Sequence, residues 1–222
     1  MCGRFTLAVE DDELQAEFPG TELPTQFARR FNIAPSQPVL AIPNDGRGKA
    51  DFFVWGLIPS WAKDPSIGTR LINARAETLA EKPAFKGSFK YKRCLILADG
   101  FYEWQGTPDK KTKVPYYIHL QNSKPFSLAG LWADWRSPDG SELRSCTIIT
   151  TEPNPLIAPI HNRMPVIVRP EDRASWLEPA AVPPEALAPF LRSYPAELMR
   201  AFPVSTLVNN PATDRPECRH PA

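Results

Sequence analysis

The second residue of this chain is a cysteine, and its place decides the chemistry open to it. Initiator methionine is usually removed before a small second residue. Cys2 would then carry a free α-amine and a thiol on adjacent carbons. Their ordinary pKa values are about 7.7–8.0 and about 8.5, so both nucleophiles are partly available near neutral pH. Such a 1,2-aminothiol condenses with an aldehyde through its amine. Its sulfur then closes on the imine to give a five-membered thiazolidine, which an internal cysteine cannot do. Three further clusters hold groups suited to proton transfer or anion binding. Asn73-Ala-Arg75-Ala-Glu77 combines an amide, a guanidinium and a carboxylate. In Ala98-Asp-Gly-Phe-Tyr-Glu103-Trp104 strand alternation aims Asp99, Phe101 and Glu103 to one face. Burial there would raise the Glu103 pKa toward the neutral range that proton shuttling needs. His161-Asn-Arg163-Met-Pro165 sets a histidine just before an apolar strand. His119 and His220 are weaker candidates, one inside a strand pattern and one in the tail. Taken singly, each of these groups has an equally good structural reading.

The other cysteines, Cys94, Cys146 and Cys218, are far apart, with no Cys-x-x-Cys pair. Neither a metal site nor a disulfide framework is expected, and reduced thiols in the cytoplasm, or in a nucleus, are the default. No apolar run approaches the ~18 residues of a membrane span. The first residues lack a signal peptide's apolar stretch, and Cys2 stands where myristoylation needs glycine. Net charge is only +1, but residues 60–93 carry eight Lys and Arg against three Asp and Glu. That local excess suits a polyanion, although a solvated mixed-charge face fits the composition equally well.

These groups need a frame. The 222 residues allow one large domain or two small ones, and a 42 % hydrophobic fraction suffices for a core. The 26 prolines imply many irregular loops. Residues 38–43, 51–55, 94–104, 114–120, 126–135, 144–151 and 164–168 read as strands, short and rich in β-branched and aromatic residues. Residues 10–18, 170–177 and 183–191 read as helices. Strands fill the middle, helices gather toward the ends, and there is no βαβ alternation. The pattern predicts a single α+β domain with a mostly antiparallel, barrel-like β core flanked by helices. The domain is expected over 1–210. The aperiodic residues 211–222 read as a mobile tail with Cys218 an exposed bystander.

The motifs in order are Met1-Cys-Gly-Arg-Phe5, Phe31-Asn-Ile-Ala-Pro-Ser-Gln37, Trp55-Gly-Leu-Ile-Pro-Ser-Trp61, Asn73-Ala-Arg-Ala-Glu-Thr78, Ala98-Asp-Gly-Phe-Tyr-Glu-Trp104 and His161-Asn-Arg-Met-Pro165. With these six the chain resembles the SOS-response-associated peptidase (SRAP) family, the abasic-site processing proteins. The resemblance implies a DNA damage response protein that senses abasic sites in single-stranded DNA. It implies a covalent protein–DNA crosslink through a Cys2 thiazolidine, shielding the site from strand cleavage, with lyase-like imine chemistry and autoproteolytic removal of Met1. Carried over residue by residue, Cys2 attacks and Asn73 hydrogen-bonds the linked sugar. Glu103 moves protons, and His161 assists at the sugar hydroxyl. Arg4, Arg75 and Arg163 resemble phosphate contacts, and Trp61 resembles the family's base-stacking wedge. No cofactor is implied. The expected partner is single-stranded DNA with abasic sites, with replication machinery a further candidate, no membrane, and a monomeric chain.

Three other readings use overlapping residues. An N-terminal-nucleophile amidohydrolase also begins Cys-Gly after methionine removal, but typically continues with a short apolar residue and glycine where this chain has Arg4-Phe5. A thiol peptidase would use Cys2, Glu103 and His161 and release peptide fragments. A non-covalent single-strand binder would form complexes that denaturant dissolves.

Overall fold

The computed structural model describes residues 2–107 and 112–222. Its strands in chain order are β1 (Phe5–Leu7), β2 (Arg30–Ile33), β3 (Pro38–Pro43), β4 (Asp51–Trp55), β5 (Asn73–Arg75), β6 (Arg93–Ala98) and β7 (Gly100–Gly106). They continue with β8 (Lys113–Leu120), β9 (Phe126–Arg136), β10 (Glu142–Thr151), β11 (Met164–Pro165), β12 (Ile167–Val168) and β13 (Met199–Pro203). Four short helices, α1 (Asp11–Glu17), α2 (Lys86–Tyr91), α3 (Arg173–Trp176) and α4 (Pro184–Leu187), lie among several single 3-10 turns.

Strands β4, β3, β6, β9 and β10 pair in that order, and β10 returns to β4, closing a five-stranded barrel. The closing pair is parallel, with Ser145 opposite Val54 and Cys146 opposite Trp55; the other four are antiparallel. Closure removes the open edges of a sheet. β6 is buried at all six positions, as its unbroken apolar run Cys94–Ala98 requires. At Gly130 on β9 an added Cβ would come within 2.8 Å of Cys94 Sγ, so the barrel wall needs glycine there. A second sheet, β13-β8-β7-β1-β2, packs beside the barrel. The architecture is α+β in one compact domain.

Several sequence expectations are met almost to the residue, notably β3 and β4. Two strands are corrected. Residues 94–104 form β6 and β7, which belong to different sheets, with Asp99 at the crossing. Asp99 N donates to Thr6 O (3.0 Å), its carboxylate accepts from Thr6 Oγ1, and Arg219 Nη1 reaches Asp99 Oδ2 at 3.0 Å. Gly100 follows because a Cβ would lie 2.2 Å from Tyr117 Oη. Residues 164–168 likewise divide at Val166, whose N–H serves Ile149 while its carbonyl serves Ala129. The 170–177 and 183–191 helices each break into an α turn and a 3-10 turn.

The aperiodic segment 211–222, expected to be mobile, is packed into the domain. Asp214 accepts from Phe31 N (2.6 Å) and Asn32 N (3.0 Å) and pairs with Arg30. Cys218, expected to be exposed, is fully buried beside Tyr102, Tyr117, Val204 and Val208. Periodicity could not reveal this, because the segment is held by side chain-to-backbone bonds without forming a helix or strand of its own beyond one 3-10 turn.

Asp214→Ala strips the partner from two backbone donors of β2. An unsatisfied buried donor costs about 1–3 kcal/mol. The expected loss is of that order in denaturant unfolding, with faster proteolysis beyond residue 210. An unchanged midpoint would mean that water replaces the carboxylate.

Candidate active site

The N-terminal arm enters the molecule along β7. Phe5 pairs with Phe101, and Tyr102 N donates to Arg4 O at 2.9 Å. That register brings Cys2 and Gly3 toward Glu103. Phe5 stacks edge-on against Trp55 of β4, with ring centroids 5.2 Å apart. Trp55 Nε1 in turn donates to Ile72 O (2.8 Å), one residue before β5. A single barrel tryptophan therefore links the arm that carries Cys2 to the strand that carries Asn73.

Asn73 Nδ2 donates to the Cys2 carbonyl at 2.7 Å. Its Oδ1 is buried and accepts no hydrogen bond among the described residues. A buried acceptor without a partner is costly, so this oxygen is a ready receiver for a ligand hydroxyl or N–H. Cys2 is fully buried, and desolvation together with the Glu103 charge holds its thiol far above the ordinary value. Glu103 is 1 % exposed, and burial pushes its carboxyl up to about 7. This site thus keeps a protonated thiol beside an acid that titrates at neutrality.

His161 lies on the loop between β10 and β11. Asn154 shapes that loop by accepting from Ile157 N (3.0 Å), and the Ile157 carbonyl then receives His161 N at 2.9 Å. Gln105 Nε2 donates to Pro159 O (3.0 Å), tying the loop to the far end of β7. Arg163 N approaches His161 Nδ1 at 3.0 Å, and the Arg163 carbonyl lies 3.2 Å from the same nitrogen, so the backbone of Arg163 fixes the ring's orientation. Burial lowers the His161 pKa, which favours the neutral ring.

The arginines differ. Arg75 is exposed on β5. Arg163 meets both oxygens of Glu77 (2.8 and 2.9 Å) and also donates to Thr150 O. Arg4 is 9 % exposed, with Nη1 committed to Asn32 Oδ1 (2.7 Å) and Val208 O (2.6 Å). Trp61 is 60 % exposed on the connection between β4 and β5, so it is no core aromatic. Within the basic stretch, Arg93 is fully buried and donates to the carbonyls of Phe89, Lys90, Trp176 and Glu178; it is a structural strut. No cluster of metal-ligating residues occurs among the described residues, and no helix is long and apolar enough to cross a membrane.

The sequence profile of the SOS response associated peptidase (SRAP) family matches residues 1–211. The chain belongs to this family. It is 48 % identical over 220 residues to the abasic site processing protein YoqW of Bacillus subtilis, covering 98 % of both chains. It is 37 % identical over 187 residues to the abasic site processing protein HMCES of Xenopus tropicalis, covering 74 % of this chain and 55 % of that one. A solved protein from Bacteroides thetaiotaomicron superposes with a TM-score of 0.89 at 25 % identity, over the whole of both chains.

Within this SRAP fold one residue that supports the site has no assigned part in the motif pattern. Asn32 is buried; it accepts from Arg4 and donates through Nδ2 to Asn210 O (3.0 Å) and Thr213 O (2.6 Å). It clamps the arm behind Cys2 to the C-terminal segment. The only sequence signal was its place in the Phe31–Gln37 motif.

The raised Glu103 pKa has a stability consequence. The folded state binds the Glu103 proton more tightly than the unfolded chain, whose glutamate titrates near 4.3. That contribution is complete below the unfolded value and is lost as pH rises through about 7. Glu103→Gln has no such titration, so its stability relative to wild type should climb between pH 5 and 8 in unfolding curves. An equal difference at both pH values would contradict the assignment.

Proposed function

We propose that this protein is a DNA damage response factor that captures abasic sites in single-stranded DNA as a covalent crosslink through Cys2. The contact of Asn73 with the Cys2 carbonyl, beside the buried Glu103, carries this reading. The relatives named as abasic site processing proteins support it. An abasic deoxyribose in its ring-opened form bears an aldehyde at C1′, the electrophile that a 1,2-aminothiol selects.

With Met1 removed, by the protein itself in this reading, the Cys2 amine adds to C1′ and the carbinolamine loses water to an imine. Glu103, half-protonated near neutrality, donates to the departing hydroxyl as a general acid. The Cys2 thiol then adds its sulfur to C1′, and its proton passes to the ring nitrogen, with the Glu103 carboxylate as carrier. Moving the thiol proton to the neighbouring carboxylate in step with sulfur attack spares the site a free thiolate, which burial disfavours. His161 assists ring opening at the sugar hydroxyl. The open Oδ1 of Asn73 receives a hydroxyl of the linked sugar.

Arg75 and Arg163 serve the phosphates, since guanidinium matches phosphate in a two-point fork. Arg4 serves through Nη2, the end not held by Asn32 and Val208. Trp61 stacks on a base. Glu77 occupies the Arg163 fork as a phosphate would, so DNA has to displace it.

A denaturing gel with single-stranded DNA carrying one abasic site, followed by mass spectrometry of the linked peptide, tests the whole reading. A bond at Cys2 is expected, and complexes that dissolve in denaturant would refute it. Cys2→Ala, once Met1 is off, keeps an amine but lacks the sulfur that intercepts the imine. Effective molarities of about 10⁵–10⁸ M for well-oriented intramolecular attack let the wild-type sulfur outrun elimination. The variant should form an imine trappable by borohydride, lose the lasting crosslink, and nick abasic DNA more than wild type does.

Glu77→Gln should tighten binding to single strands in a fluorescence titration, because no carboxylate then competes with phosphate for the Arg163 fork. Unchanged affinity would make the Glu77–Arg163 pair purely structural.

A further inference from the structure

A groove of about 420 Å³ lies on the surface away from the buried Cys2 cluster. Its walls are the connection between β4 and β5, helix α2 with the turn before it, and Ala133 of β9. Two of its lining residues, Trp61 and Tyr91, are 60 % and 53 % exposed, which makes them the two most exposed large hydrophobic residues among those described. A soluble domain gains nothing by leaving two aromatic rings in water, and such a pair on one groove marks a binding surface. Pro59 and Pro83 contribute rigid apolar walls. The only charged residues in the lining are Lys86 and Lys92, with no carboxylate among them. Lys92 Nζ is held by Asp134 at 2.7 Å and lies 4.6 Å from the Trp132 ring centroid. Lys86 is exposed, and Lys90 adds a third ammonium 5.1 Å from the Tyr91 ring centroid.

We propose that this groove is a second single-stranded DNA subsite, in which Tyr91 stacks a nucleobase opposite Trp61 while Lys86 meets a neighbouring backbone phosphate. The inference rests on the single-stranded DNA reading above and extends it from the abasic nucleotide to its flank. Aromatic platforms on a positively charged groove are the general solution for single strands, because every base offers a π-face and every linkage a negative charge. The subsite needs no base-edge hydrogen bonds, so it tolerates any sequence.

The test uses the full chain and fluorescein-labelled oligothymidylate without an abasic site, so that affinity is read apart from the Cys2 chemistry. Tyr91→Ala should weaken binding at least about fivefold, the low end of a lost base stack. Tyr91→Phe, which keeps the ring, should stay within about twofold of wild type. Lys86→Ala should lower the log–log salt slope by about 0.7. Ultraviolet crosslinking of an iodouracil-substituted strand should label Tyr91, a result that a change in folding could not produce. Tyr91→Ala binding within twofold of wild type, with no label on Tyr91, would overturn the subsite. If wild type also forms the Cys2 adduct with abasic DNA in a parallel reaction, the functional reading survives that loss. A wild-type protein that neither binds oligothymidylate nor forms the adduct would overturn both.

Discussion

The site depends on one strand being paired on both sides. β10 accepts β9 antiparallel along one edge, and along the other it takes β4 and then β5 in parallel register. The first parallel pair closes the barrel. The second extends the same edge, setting Ile148 opposite Asn73 and Thr150 opposite Arg75. The 56–72 connection carries the chain from β4 to β5 along this one edge, and it exposes Trp61. Closing the barrel, positioning the amide and presenting the tryptophan are thus one topological event.

The chemistry at the end of that edge is governed by water exclusion. Glu103 in solvent would be fully ionised at neutral pH; buried on β7 it titrates near 7. The same burial holds the Cys2 thiol protonated and favours the neutral His161 ring. Uncharged groups in this state cost the fold little, yet each is one proton transfer from reactivity. The buried Asn73 oxygen without a partner has the same character, a small destabilisation kept where a ligand can relieve it.

Electrostatic restraint also organises the rim. Arg163 is held by Glu77, Arg4 by Asn32 and the Val208 carbonyl, and Arg93 is withdrawn wholly into the core. The C-terminal segment supports the arm behind Cys2 through Asn32, Asp214 and the Arg219–Asp99 pair. The two ends of the chain are therefore one structural unit, and the arm that carries Cys2 is buttressed by residues more than 200 positions away.

The sequence by itself determined the family, the α+β class and the strands whose own residues demand them. β3 and β4 are legible because β-branched and aromatic residues fill short runs bounded by turn formers. Cys2, Asn73, Glu103 and His161 are legible as motif residues because each chemical type is unusual in its setting. Only the tertiary structure decided where apolar runs divide. Asp99 sends β6 and β7 to separate sheets through contacts with Thr6 and Arg219, residues distant in sequence. β1, β2, β5 and β13 are three to five residues long and owe their form to partners rather than propensity. The same holds for the order of residues 211–222 and for the clamp at Asn32. Long-range hydrogen bonds leave no periodic trace along the chain, because the residues they join share no local pattern.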